Sequence, residues 1–240
     1  MIKIDALSKH FGSIVAVDGI SFECASGEVI GLLGPNGAGK STTMKMITGF
    51  ITPSCGRVVV DGYDMATDSL AARKRMGYLP EGAPSYSDMT PRAQLNFVAK
   101  VRELQGDVLQ TRMAQVISAL HLEPVLDQSI DTLSKGFKRR VALAQAILHD
   151  PGILILDEPT DGLDPNQKYE VRELIKSMSA NKLILISTHL LDEVEAVCSR
   201  VLIIAEGKIL RDATPAELVA ESSTGRLDDV FREITGGKAA

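Results

Sequence analysis

The stretch Gly34-Pro35-Asn36-Gly37-Ala38-Gly39-Lys40-Ser41 reads G-x-x-x-x-G-K-S. It follows an apolar run (Val29, Ile30, Leu32, Leu33) and precedes a helix-like stretch from Thr42 to Ile47. Strand, glycine-rich loop and helix in this order are the context a phosphate-binding loop requires. Its glycines let successive backbone N–H groups turn inward as an anion nest at the positive end of a helix. Lys40 then reaches the β- and γ-phosphates of a nucleotide, and the Ser41 hydroxyl ligates Mg²⁺. The predicted nucleotide contacts are therefore Gly34 through Thr42. Three glycines in eight residues also suit an ordinary turn, but Lys-Ser at this offset after a buried strand argues against one.

A second candidate element is Ile153-Leu154-Ile155-Leu156-Asp157-Glu158-Pro159. Four apolar residues bury a strand, and two acids appear where it reaches its C-terminal end, the edge at which ligands bind in open α/β sheets. Side chains alternate faces along a strand, so the two acids serve different ends. Asp157 suits a Mg²⁺–water contact, and Glu158 suits polarising a water against a γ-phosphate. The bland reading is a plain strand end with solvated acids.

The elements that must position these groups are an α/β core with a helical insertion. Ile2 and Ile4, and then Ile20, Phe22 and Cys24, predict two short half-buried strands with Phe11-Gly12 in a loop between them. Val29–Leu33, apolar on both faces, predicts a central parallel strand. Val58-Val59-Val60 predicts a strand ending in the Asp61-Gly62 turn; a short helix closes at Arg73–Arg75, and Tyr78-Leu79 predicts a brief strand stopped by Pro80. From Glu81 to about Asp150 three helical patterns follow. The first begins at Pro91, the second carries Leu109, Met113, Val116, Ile117 and Leu120 on one face, and the third runs from about Gly136 to Leu148. The core resumes with strands at 153–156, 183–186 and 201–205, the last turning back through Glu206-Gly207, and helices at 166–178 and 190–197. Two amphipathic helices near Ala216–Ala220 and Leu227–Ile234 precede a frayed end. The predicted division is one domain, with core at 1–80 and 151–214, a helical subdomain at 81–150 and a tail at 215–240.

With 240 residues the chain is long enough for a substantial core, and 45% hydrophobic with 24% charged residues is an ordinary globular balance. A net charge of −5 argues against a nucleic-acid surface. The three cysteines (Cys24, Cys55, Cys198) lack metal-ligand spacing and are expected to be reduced thiols of a cytosolic protein. No signal-peptide pattern is apparent at Met1–Asp5, and no apolar run approaches the ~18 residues needed to cross a bilayer. Any membrane work would fall to another chain.

Beyond these elements the chain resembles the nucleotide-binding subunits of ABC transporters over nearly its whole length. Leu133-Ser134-Lys135-Gly136-Phe137, just before the helix leading to the acidic strand, is similar to that family's signature, usually written LSGGQ. Physically it is a serine at a helix N-terminus with a close-approach glycine, an arrangement that favours phosphate and equally serves as a simple cap. The resemblance implies that Ser134 and Gly136 face the γ-phosphate of ATP bound to a second subunit. It implies further that Asp161-Gly162-Leu163-Asp164 contacts the opposite subunit, that His189 is a switch histidine for the γ-phosphate, and that Phe11 stacks on adenine. As a loop aromatic, Phe11 has the alternative of plugging the core.

Three departures stand out. Lys135 replaces a glycine, Phe137 a glutamine, and Glu81, in Tyr78-Leu79-Pro80-Glu81, the glutamine of the loop that contacts Mg²⁺ and couples to the membrane subunit. A carboxylate serves a hard cation at least as well. Lys138, Arg139 and Arg140 are expected to form a solvated helix face.

The implied activity is ATP hydrolysis by a subunit that dimerises around ATP and Mg²⁺, at the inner face of the cell membrane, and drives a separate permease. Tyr78–Glu81, Pro159–Pro165 and Leu227–Phe231 resemble the export-associated branch, and Gly82–Asn96 is implied to line the groove that receives the permease. The second reading is a soluble ABC-type ATPase of translation or DNA repair. Such proteins carry two ATPase domains or long coiled-coil insertions, whereas this chain has one set of motifs and no sustained heptads.

Overall fold

The computed structural model describes residues 1–82, 84–222 and 224–236. The first two strands, β1 (Ile2–Phe11) and β2 (Ile14–Cys24), are longer than the sequence predicts. Phe11 lies in β1 and pairs with Ile14 across the turn rather than sitting in a loop. The apolar alternation ends before the hairpin tip because Phe11, Ile14 and Val15 are exposed there, and the ladder continues on backbone hydrogen bonds alone. With β4 (Cys55–Val60) and β5 (Tyr63–Asp64) they form an antiparallel sheet in the order β2-β1-β4-β5.

The second sheet runs β10-β9-β3-β8-β7-β6. It comprises β3 (Val29–Leu33), β6 (Met76–Leu79), β7 (Ile153–Asp157), β8 (Leu183–Thr188), β9 (Arg200–Ala205) and β10 (Lys208–Ala213). All its pairings are parallel except that of β9 with β10, which close a hairpin at Glu206-Gly207. Alternation explains why β7 reads as continuously apolar. Ile153 and Ile155 enter the core shared with the antiparallel sheet, whereas Leu154 and Leu156 enter the core shared with the helices.

Helix α1 (Lys40–Ile47) fills the space between the sheets, and α2 (Ser69–Lys74) precedes β6. The helical stretch holds α3 (Pro91–Val101), α4 (Gly106–Ala119) and α5 (Lys135–Ile147). Two short 3₁₀ turns, Glu123–Val125 and Ile130–Thr132, were not apparent in the periodicity. The predicted face of α4 packs inward through Val116 and Leu120, with Leu109, Met113 and Ile117 against the same core. Helices α6 (Pro165–Ser179) and α7 (Leu191–Val197) alternate with the parallel strands. The tail helices α8 (Pro215–Glu221) and α9 (Leu227–Ile234) bury Leu218, Leu227, Val230 and Phe231 against Leu33, Val201 and Ile203. Residues 237–240 of the predicted frayed end lie outside the described residues. Among the described residues no helix is long and apolar enough to cross a membrane.

Candidate nucleotide site

At the C-terminal end of β3 the chain must turn sharply to begin α1, and Gly39 is the N-cap of that helix with φ 105°. That conformation favours glycine, and a Cβ there would stand 2.5 Å from the Ala16 carbonyl oxygen. No side chain caps α1 and no acid sits in its first turn, so its N-terminal N–H groups are left to an external anion. Under them opens a cavity of about 270 Å³ lined by Ala16, Asn36, Gly37, Gly39, Lys40, Ser41, Thr42, Glu81 and Glu158. Ala16, from β2, gave no signal in the sequence.

Lys40 is 5% exposed, and its Nζ donates to the carbonyls of Gly34 (2.7 Å) and Pro35 (3.0 Å). Burial pulls its pKa down, against the opposing pull of the Glu158, Asp157 and Glu81 carboxylates. Lys40 thus folds back on its own loop while three negative groups face it. A phosphate offers it a stronger, charge-assisted acceptor than the two carbonyls.

Asp157, the last residue of β7, is fully buried. Its Oδ1 accepts from Ser41 Oγ at 3.2 Å and also from the hydroxyl of Ser187, while its Oδ2 is buried without a partner. An orphan carboxylate oxygen beside a serine hydroxyl is an oxygen-only donor set, which fits Mg²⁺. Among the described residues no cluster of three acids, histidines or cysteines could hold a metal alone.

Glu158 begins the turn after β7 with φ 50°, a left-handed conformation uncommon for a side chain other than glycine. Its N–H donates to Ser187 O (3.1 Å) and Ser187 Oγ (3.2 Å). Its Oε1 accepts from His189 Nδ1 at 3.0 Å. A neutral ring that donates from Nδ1 presents Nε2 as an acceptor, so donation from Nε2 to a phosphate requires the imidazolium. Behind this pair lies a cavity of about 140 Å³ lined in part by Thr160, His189 and Glu193. Thr160 Oγ1 and Glu193 Oε1 are buried there without partners, and burial raises the Glu193 pKa. The space is polar and large enough for water.

The remaining predicted residues lie apart from the larger cavity. Ser134 caps α5, accepting from Phe137 N at 3.3 Å, and is exposed. Gly136 is buried against α6, where a Cβ would meet Gln167 Oε1 at 2.4 Å. Asp164 caps α6, accepting from Gln167 N at 3.0 Å. Phe11 is 49% exposed with Lys9 Nζ 5.1 Å from its ring centroid, which excludes the core-plug alternative.

The expectation of a solvated Lys138-Arg139-Arg140 face is corrected. Arg139 and Arg140 are 5% and 8% exposed, and only Lys138, half-buried, reaches outward to Asp131 O at 2.9 Å. Arg140 pairs with Glu170 at 3.0 Å. The Arg139 guanidinium donates to main-chain carbonyls at the ends of β6 and β7: Pro80 (3.3 Å), Pro159 (3.4 Å), Asp157 and Glu158. A buried cation costs several kcal/mol unless its donors are satisfied, so the carbonyls explain how the fold accommodates it.

Comparison with known proteins identifies the family. The family described as ABC transporter matches residues 17–161. The chain is 37% identical to the "Probable multidrug ABC transporter ATP-binding protein YbhF" of Escherichia coli K12, over 97% of this chain and 40% of that protein, so it spans about two fifths of that relative's length. It is 36% identical to the Nod factor export ATP-binding protein I of Paraburkholderia xenovorans, over 96% of this chain and 76% of that protein. With the linearmycin resistance ATP-binding protein LnrL of Bacillus subtilis it shares 35% identity, over 91% of this chain and 70% of the other. A solved ATP binding subunit of an ABC transporter superposes with a TM-score of 0.90 at 29% identity, covering 98% of this chain and 99% of that one. The dimeric bacterial cassette MJ0796, at 23% identity and a TM-score of 0.83, shares the fold. The chain belongs to the ABC transporter family.

Proposed function

We propose that the chain is the ATP-hydrolysing subunit of an exporter, pairing with a second ATPase subunit around ATP and powering a separate membrane permease. Lys40 and the N–H groups of Gly37–Thr42 bind the phosphates; Ser41, Asp157 and Glu81 hold Mg²⁺. When bound, that ion neutralises phosphate charge and polarises the γ-phosphoryl group. Glu158 orients and deprotonates the attacking water, and His189 holds the Glu158 carboxylate and meets the γ-phosphate.

The single observation that carries the dimeric reading is the separation of the two anion-binding edges. Ser134 and Gly136 do not line the cavity that Lys40, Ser41 and Glu158 share. An exposed, phosphate-favouring helix start with no phosphate site of its own suits a nucleotide held by another subunit; Asp161–Asp164 contacts that subunit, and Phe11 stacks on adenine. Export is supported by the relatives' names, multidrug, Nod factor export and linearmycin resistance. Docking of the permease near Gly82–Asn96 is supported by an exposed aromatic pair, Tyr86 within that segment and Phe97 directly after it, edge-on at 5.7 Å.

Sedimentation of Glu158→Gln protein tests the dimer. A species of twice the monomer mass is expected with MgATP, and monomer with ATP plus EDTA or with ADP. Monomer under every condition at tens of micromolar protein would remove the paired-subunit mechanism.

A further inference from the structure

Arg139 has no part in the mechanism above, yet it touches both strand ends that carry the reactive groups. Its hydrogen bonds gather Pro80 O, one residue before Glu81, and the consecutive carbonyls of Asp157, Glu158 and Pro159. Glu158 sits in the left-handed region at φ 50°, which it keeps only if its surroundings impose it. They do so from both sides: Ser187 accepts from the Glu158 N–H, and Arg139 donates to the Glu158 carbonyl. Fixing both flanking peptide groups fixes the Cα–Cβ direction, and hence where the carboxylate points. A guanidinium, planar with forked donors, can bridge several carbonyls at once; an ammonium cannot hold the same set. Arg139 also rides on α5, the helix that Ser134 caps.

We propose that Arg139 is a positioning residue for ATP hydrolysis, clamping the left-handed turn at Glu158 so that its carboxylate faces the nucleotide cavity, and mechanically linking that turn to the Ser134 edge. The inference rests on the functional reading above. Arg139 does not line the nucleotide cavity, so the clamp acts on turnover and leaves nucleotide affinity alone.

The test compares wild type, Glu158→Gln, Arg139→Lys and Arg139→Ala as full chains, measuring steady-state kcat, KM and the Kd of a fluorescent ATP analogue. Misplacing a catalytic group by about 1 Å costs up to about a hundredfold, so Arg139→Lys should lose at least about tenfold in kcat with Kd within about threefold. In Arg139→Ala, millimolar guanidinium should restore part of the lost kcat, because the truncation removes a planar, forked donor that free guanidinium reproduces. A merely structural arginine would instead lower the folded fraction while kcat per folded molecule stayed at the wild-type value. Should Arg139→Ala fail to fold, Arg139→Lys decides alone. Wild-type kcat in folded Arg139→Lys overturns the clamp and leaves the functional reading standing. A wild type whose hydrolysis is absent, or indifferent to Glu158→Gln, overturns the functional reading and the clamp with it.

Discussion

Glu158→Gln is expected to lower ATP turnover by at least about a hundredfold while ATP affinity stays within about threefold, the span a positioned general base contributes. Glutamine keeps the shape and can still accept from His189 Nδ1, which stands 3.0 Å from Glu158 Oε1. The φ of 50° and the Ser187 contacts to the Glu158 N–H depend on the backbone and survive the change. What is lost is the capacity to take a proton from water, together with one of the three carboxylate charges that face Lys40. Single-turnover hydrolysis and equilibrium binding of radiolabelled ATP separate the two effects. Turnover near the wild-type rate would remove Glu158 from the mechanism.

Lys40→Met should act at the opposite step. Its ammonium is a buried cation facing Glu158, Asp157 and Glu81, and burial already pulls its pKa down. Without it, three carboxylates face a polyanionic substrate with no compensating side-chain charge at that point of the loop. A charge-assisted hydrogen bond contributes roughly 1.5–3 kcal/mol, so ATP affinity should fall by about 10- to 150-fold, read by isothermal titration calorimetry. Met preserves the aliphatic stem but leaves the Gly34 and Pro35 carbonyls without their donor and the three carboxylates uncompensated, so the thermal midpoint should fall. Affinity within threefold of wild type would mean that the loop N–H groups bind phosphate unaided.

Much of this was legible in the residues because the chemistry is written in contiguous stretches. Val29–Ser41 and Ile153–Glu158 each combine a buried strand with the polar groups at its end, and the fold brings both ends to one cavity. The β9–β10 hairpin followed from the Glu206-Gly207 turn after an apolar run, and the apolar face of α4 from periodicity. Arg139 was not legible. Its partners are main-chain carbonyls, which any residue supplies, and they come from segments 18 to 20 and 59 positions away. Three consecutive cations on a helix read as a wet face unless one knows that α5 runs between two strand ends. Ser187 escaped notice for a similar reason: a serine at a strand end has no motif, and its value lies in touching both Asp157 and the Glu158 N–H. The length of β1 and β2 was hidden because an exposed hairpin tip carries no burial pattern.

The most direct test of a permease-driving ATPase is recovery of the permease itself. Tagged Glu158→Gln protein, held in its ATP-bound state, would be purified with MgATP from detergent-solubilised native membranes and its companions identified by mass spectrometry. A polytopic membrane protein in stoichiometric yield, lost when ATP is omitted or when the Tyr86–Phe97 surface is replaced by charged residues, is the predicted result. Recovery only of ribosomes, DNA or the protein's own dimer would contradict it and favour an ATPase working away from the membrane.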